Sequence, residues 1–138
     1  MLVLSQSGIT RLLDYLIAEW NANLLVVKLF RNDYVPQFGT TLADLVESNF
    51  SGYAPITVSG VAYQFFSGQV GYLVANDSCQ FTVLTGSGGP QLAFGYWVED
   101  SLGNLLWAER DPDGPVQMSF SGNSYNIIPR LGIANCPP

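Results

Sequence analysis

The fold of this chain is decided by residues 91–111, which read QLAFGYWVEDSLGNLLWAERD. Apolar and aromatic side chains alternate with other residues in both arms, and Gly103 lies in the turn that joins the arms. Alternation with a period of two predicts a half-buried antiparallel hairpin, and glycine readily takes the positive φ that such a turn needs.

The two faces of the first arm carry different predictions. Phe94, Tyr96 and Val98 alternate along it and should form the packed interior. Trp97 lies on the opposite face, so we expect its ring to be an exposed platform or a contact with another subunit.

Short β-prone segments separated by Gly, Pro, Asn and Asp fill the chain from residue 56 onward. We predict strands at residues 24–30, 56–59, 61–66, 69–75, 80–85, 92–99, 105–110, 116–120 and 125–128. Many short strands with turns between them are typical of a mainly β protein, an antiparallel β-sandwich or jelly-roll-like barrel. We expect a single domain over residues 1–138, in which an N-terminal arm and helix (1–23) precede the sandwich (24–138).

Apolar residues at helical spacing predict an α-helix over residues 9–20 with Ser7 as its N-cap. Its apolar stripe has two interpretations: it covers one end of the β-core, or it docks on a partner subunit. A second, short helix should begin near Thr41, because Thr41 and Asp44 have the spacing of a capping box.

The composition disfavours several classes of function. Only 12% of the 138 residues are charged, about half the usual fraction, and a surface this poor in charge suggests coverage by another subunit. The net charge is −6 and the five bases form no run, which argues against nucleic acid and against an anionic membrane surface. The chain has no histidine, so the commonest general base is missing and most zinc chemistry is disfavoured.

Targeting and redox signals are weak. We expect no signal peptide, because Arg11, Asp14 and Glu19 interrupt the first apolar stretch, and no run approaches the length of a membrane span. The protein should therefore be made in the cytoplasm. Cys79 and Cys136 are two thiols far apart in sequence, and they do not establish a disulfide.

Five carboxylates cluster near one end of the hairpin: Glu99, Asp100, Glu109, Asp111 and Asp113. Glu99 and Glu109 could form a glycosidase pair if they lie about 5–10 Å apart in a cleft. Asp111 and Asp113 resemble a fragment of a calcium loop without the remaining ligands. The third interpretation is a solvated acidic rim, and we predict no catalytic, cofactor or metal residue.

Four blocks of the sequence together resemble a family of small proteins encoded by tailed bacteriophages. The blocks are G8-I9…L12-L13…L16, VKLFRN (27–32) followed by P36, TLADL…FSGY (41–53), and FGYWV…GNLLWAER (94–110). The resemblance spans most of the chain and implies a virion part, including capsid cement (decoration) proteins, which commonly form trimers on β-sandwich folds.

The resemblance and the composition together predict a structural virion protein on the capsid surface. Its expected partners are itself, as a homotrimer, and the major capsid protein. The alternative is a tail-associated or carbohydrate-binding β-sandwich module for host recognition. We expect the contacts to come from the apolar arm, the helix stripe and the exposed face of the hairpin: Leu2, Val3, Leu4, Leu12, Leu16, Trp20 and Trp97.

Overall fold

The computed structural model describes residues 5–58, 61–66, 70–75, 78–86 and 89–134. Within these ranges the protein is mainly β, its strand pairs are all antiparallel, and one α-helix precedes them. The mainly β class is therefore confirmed. The elements are α1 (Gln6–Asn23), β1 (Leu25–Phe30), a 3-10 helix (Leu42–Asp44), β2 (Ile56–Val58), β3 (Val61–Phe66), β4 (Val70–Ala75), β5 (Cys79–Thr82), β6 (Leu92–Ala93), β7 (Gly95–Glu99), β8 (Leu105–Arg110), β9 (Val116–Gln117), β10 (Ser124–Ile127) and β11 (Arg130–Ala134).

The strands form four sheets. The largest has the order β2-β1-β7-β8, a second has the order β11-β4-β3, and the pairs β10-β5 and β6-β9 complete the set. The predicted hairpin is the β7–β8 pair, and β7 lies between β1 and β8. The hairpin therefore supplies half of the largest sheet.

The turn of this hairpin is built as its sequence predicts. Gly103 has a φ of 82°. The Asp100 carboxylate accepts hydrogen bonds from the Leu102 and Asn104 N–H groups, both at 2.9 Å. These bonds hold the pKa of Asp100 below its usual range, the side-chain bond from Asn104 being the largest cause.

Helix α1 is longer than predicted and starts earlier. Its N-cap is Ser5, whose Oγ accepts a hydrogen bond from the Gly8 N–H, so the prediction of Ser7 was wrong. Leu13 and Trp20 are buried in the main core, and the Trp20 ring lies 5.5 Å from that of Trp107 on β8. The stripe thus covers the β-core, as the first interpretation proposed.

The short helix is a single 3-10 turn after Thr41. The Thr41 N–H and hydroxyl both donate to the Asp44 carboxylate, at 2.8 and 2.9 Å, and lower the pKa of Asp44. The predicted capping box is therefore present, with Asp in place of Glu. Leu45 is buried, whereas Leu42 and Val46 are exposed.

The strands differ from the predictions in one division and one omission, and the strands predicted at 80–85 and 116–120 are shorter, β5 (Cys79–Thr82) and β9 (Val116–Gln117). The predicted strand 92–99 is interrupted at Phe94, so that β6 pairs with β9 while β7 pairs with β1 and β8. Strand β11 was not predicted, because Gly132 interrupts its short apolar pattern; it pairs with β4 in the three-stranded sheet.

Apolar clusters lie on both faces of the largest sheet. The main core contains Tyr96 and Val98 together with α1 and β5 residues. A second, smaller cluster is made by Phe30, Leu45 and Trp97, with Phe94 packed against it. We had expected Phe94, Tyr96 and Val98 to pack together. Phe94 instead belongs to the smaller cluster, on the other face of the sheet from Tyr96 and Val98.

Candidate functional site

The predicted contact residues of the N-terminal region differ in accessibility. Leu2, Val3 and Leu4 lie outside the described residues, as does Cys136, while Cys79 is buried. Leu12 is exposed on the outer face of α1 beside Tyr15. Leu16 is half-buried against the core.

Trp20 and Trp97 are corrections to the predicted contact set. Trp20 is 7% exposed and Trp97 only 3%, so neither ring offers area to a partner. Trp97 is buried because β7 is a central strand covered on both faces, and Leu45 packs over the face that we expected to be open. Alternation of period two marks the two faces of a strand but does not show which of them is covered.

A charge network in which only Glu99 is fully buried lies beside Trp97. Its indole N–H donates to Glu99 Oε1 at 2.6 Å, and Lys28 Nζ lies 3.3 Å from Glu99 Oε2 and 3.7 Å from Glu47 Oε2. The Tyr53 hydroxyl donates to Glu47 Oε1 at 3.0 Å. Each of these polar groups has a partner, which is what allows charges to lie between β1 and β7.

Glu99 and Glu109 do not form a glycosidase pair. Glu99 lies on the Trp97 face of β7, where the Trp97 indole donates to it. Glu109 pairs with Tyr96 across β7 and β8, and both side chains lie on the other face of the sheet from Glu99. The Tyr96 hydroxyl donates to the Glu109 carboxylate at 2.7 Å. Because the sheet separates the two carboxylates, they cannot flank one glycosidic bond.

The Asp111–Asp113 segment forms a turn. One Asp111 oxygen accepts the Asp113 N–H at 2.9 Å, and the other accepts the Tyr125 hydroxyl at 2.7 Å. Among the residues that the structure describes, no group of three His, Cys, Asp or Glu side chains could hold a metal ion. The described residues around Asp111 and Asp113 therefore provide no set of ligands for a calcium ion.

A shallow polar cleft of about 220 Å³ opens beside these carboxylates. Tyr96, Glu109, Asp111, Tyr125 and Arg130 line it, with one tyrosine hydroxyl donating to each carboxylate. Burial raises the pKa of both tyrosines above the usual value, and the neighbouring carboxylates add to the shift. Both phenols therefore stay protonated at neutral pH and act as hydrogen-bond donors.

The sequence did not reveal this cleft. Tyr96 was predicted as a core residue, and Tyr125 was placed only on a strand. Tyr125 lies on β10, which pairs with β5 across more than 40 residues of sequence, and its hydroxyl reaches Asp111, 14 residues earlier in the chain. The only local signal is the spacing of Glu109 and Asp111, which places both on one face of an extended chain.

A second concave surface lies beside the open edge of β8. This loop–edge groove, of about 360 Å³, lies between residues 36–40 and residues 105–108, and none of its lining residues is charged. Phe38 is fully exposed at its rim. An aromatic ring in such a position resembles the anchors of protein interfaces.

The loop that carries Phe38 is held in place by its own hydrogen bonds. The Thr40 hydroxyl accepts the Gln37 N–H at 2.8 Å and lies 3.1 Å from the Tyr34 hydroxyl. Asp33 forms an ion pair with Arg110 of β8, which ties the loop to the hairpin. Phe38 is thus presented on an ordered loop, which lowers the entropic cost of using it as a contact.

Comparison with known proteins identifies no relative: no family model, curated protein or solved structure matches the chain. No helix formed by the described residues is long and apolar enough to cross a membrane. Function must therefore be inferred from the surfaces themselves.

Proposed function

We propose that this protein is a structural component of a bacteriophage virion, a capsid cement (decoration) protein that stabilises the head by bridging major capsid subunits. The proposal takes residues 1–138 as one domain, with the sheets arranged as a β-sandwich or jelly roll and three copies assembled as a homotrimer. It assigns the protein no catalytic activity and no cofactor.

The observation that carries the proposal is the apolar character of the surface. Large hydrophobic side chains are exposed on a chain in which only 12% of residues are charged. They include Leu12 and Tyr15 on α1, Val35 and Phe38 on the loop, and Leu84 and Phe120. The last two belong to neighbouring turns, since the Ser121 hydroxyl donates to the Leu84 carbonyl.

Such surfaces are typical of proteins that work in contact with other subunits. Each patch is small, so a single contact would be weak. On a capsid lattice several weak contacts add through effective concentration, and a small protein can then bind firmly. The phage resemblance of the four sequence blocks supports this setting.

The outer face of α1 is our choice for the capsid-facing or threefold contact. Leu12 and Tyr15 lie one helical turn apart and are exposed, while Leu13 anchors the opposite face in the core. This choice replaces Trp20 and Trp97 in the predicted contact set with Tyr15.

The test is binding of the purified protein to expanded capsids of the phage that encodes it. We expect saturable binding and a rise in the temperature at which the capsids rupture. Leu12→Glu should weaken binding at least tenfold, whereas the matched control Leu102→Glu, at the exposed hairpin tip, should bind normally. A protein that is a monodisperse monomer at high concentration and leaves the capsids bare contradicts the proposal.

The polar cleft beside Glu109 favours a second candidate, a tail-associated or carbohydrate-binding module for host recognition. Carboxylates in a shallow cleft are suited to accept hydrogen bonds from sugar hydroxyls. A glycan array separates the two candidates. Specific glycan binding that is lost in Asp111→Asn supports the carbohydrate-binding module. No binding on the array, together with ordered density for the protein on the virion head, rules that candidate out.

A further inference from the structure

Residues 32–45, which we call the strap, leave strand β1 and return to it. At the base of the strap the Arg31 N–H donates to the Val46 carbonyl, and the Ser48 N–H donates to the Leu29 carbonyl, both at 2.9 Å. Compact loops whose ends lie close together in this way are frequently functional. Because β1 pairs with β7 through its other edge, the strap can change position while that pairing stays intact.

The strap keeps its shape through bonds within itself. The Thr40 N–H donates to the Gln37 carbonyl at 2.9 Å, and the Asp44 carboxylate accepts both the N–H and the hydroxyl of Thr41. The Asn32 side-chain amide donates to the Asp44 carbonyl at 2.9 Å and so joins the two ends of the strap. Because these bonds lie inside the strap, it can move about its base as one unit without losing them.

Few apolar contacts hold the strap against the largest sheet. Leu45 is buried over Trp97, and Tyr34 packs half-buried against the same cluster. Phe38, at the middle of the strap, is fully exposed. The loop–edge groove, rather than packed side chains, lies between this part of the strap and β8. Segments with few buried apolar contacts are those that open locally in a folded protein.

Arg110 is the polar tether of the strap. Outside the base, every hydrogen bond and ion pair that joins the strap to the rest of the described chain goes to this side chain. Its guanidinium pairs with Asp33 and donates to the Tyr34 carbonyl at 3.4 Å. It also lies 5.2 Å from the centre of the Phe94 ring, a cation–π contact that positions it. Because Asp33 is 72% exposed, this tether is weak.

We propose that the strap opens about its base as a unit, that the Arg110 tether sets how often it opens, and that opening uncovers Trp97 while the sheet stays folded. Trp97 lies on the face of β7 that the sequence pattern assigns to a partner contact, and Leu45 of the strap covers it. Opening therefore turns a buried ring into an accessible aromatic surface. This device goes beyond the proposed capsid role, which uses the outer face of α1, and either idea can fail without the other.

Alkylation of the Leu45→Cys variant tests whether the strap opens by itself. The native Cys79 is the internal reference, because it is 1% exposed in the main core and reacts when that core opens. Peptide mass spectrometry follows both thiols in the same molecule. We expect the thiol at position 45 to react about tenfold faster than Cys79, or more. Equal rates would show that the strap opens only when the whole protein unfolds, which overturns the proposal.

Removal of the tether tests the role of Arg110. Arg110→Gln, added to Leu45→Cys, should raise the alkylation rate at position 45 about threefold or more and leave that of Cys79 unchanged. Arg11→Gln removes the same charge from α1 and is the matched control, which should leave both rates unchanged. The same rate at position 45 in both variants, or an equal rise at Cys79 in Arg110→Gln, refutes the tether. Because the isolated protein is labelled, the result does not depend on capsid binding.

Discussion

Removal of the Lys28 ammonium tests the charge network beside Trp97, in which Glu99 is the buried member. Glu99 is 8% exposed, and Lys28→Met would leave its carboxylate with the Trp97 indole as the remaining partner among the contacts described above. Loss of one member of a buried ion pair typically costs 3–5 kcal/mol. Because Lys28 reaches solvent with about a fifth of its side chain, we expect about 2–4 kcal/mol of lost unfolding free energy.

The assay is urea unfolding followed by far-UV circular dichroism for Lys28→Met, Glu99→Gln and the double variant. Glutamine can still accept the Trp97 hydrogen bond, so the double variant should recover at least 1 kcal/mol relative to the sum of the single losses. Additive losses, or a cost below about 0.5 kcal/mol for K28M, would show that the ion pair contributes nothing beyond a surface pair.

Three further predictions concern the hairpin and its cleft. Gly95→Ala should destabilise the protein by about 3 kcal/mol or more, seen as a lower urea midpoint, because its new Cβ would lie 2.1 Å from the Glu109 carbonyl oxygen. Stability should fall as the pH rises above about 10. The reason is that folding raises the pKa of Tyr96 and Tyr125, so the folded state holds these protons more tightly than the unfolded chain does. In melting curves measured over a series of pH values, the double variant Tyr96→Phe/Tyr125→Phe should show a smaller fall. Asp100→Ala should lower the melting temperature through loss of the turn's hydrogen bonds, and an unchanged melting temperature would contradict that role.

Local chemistry predicted a large part of the fold. The alternation in residues 91–111 located the β7–β8 hairpin, and the turn glycine and the Thr41–Asp44 capping box have the predicted conformations. These features depend on residues within a few positions of one another. The same holds for the apolar stripe of α1, whose period places Leu13 and Trp20 against the core.

The errors come from contacts between residues far apart in the sequence. Trp97 is buried because Leu45, more than 50 residues away, covers its face. Strand 92–99 divides at Phe94, whose N–H donates to the Phe30 carbonyl while β6 turns to β9. No period or propensity within the segment reports such partners.

The candidate surfaces were predicted less well than the fold. The acidic cluster was recognised, yet its division between two faces of the sheet depends on the register of β7 and β8. Phe38 was not singled out, because nothing in the Pro36–Gly39 sequence distinguishes a ring packed under the loop from one presented outside it. Its exposure follows from the bonds that Tyr34 and Thr40 make within the loop.

Assembly on a capsid is the central claim, and co-sedimentation with expanded capsids that lack the protein tests it most directly. We predict that the 15.0 kDa chain pellets with the capsids and that binding saturates at a fixed number of copies. This number should be a multiple of three per threefold position. The Leu12→Glu variant should remain largely in the supernatant. Wild-type protein that stays in the supernatant at every concentration, with a sedimentation coefficient of a monomer, would contradict the account.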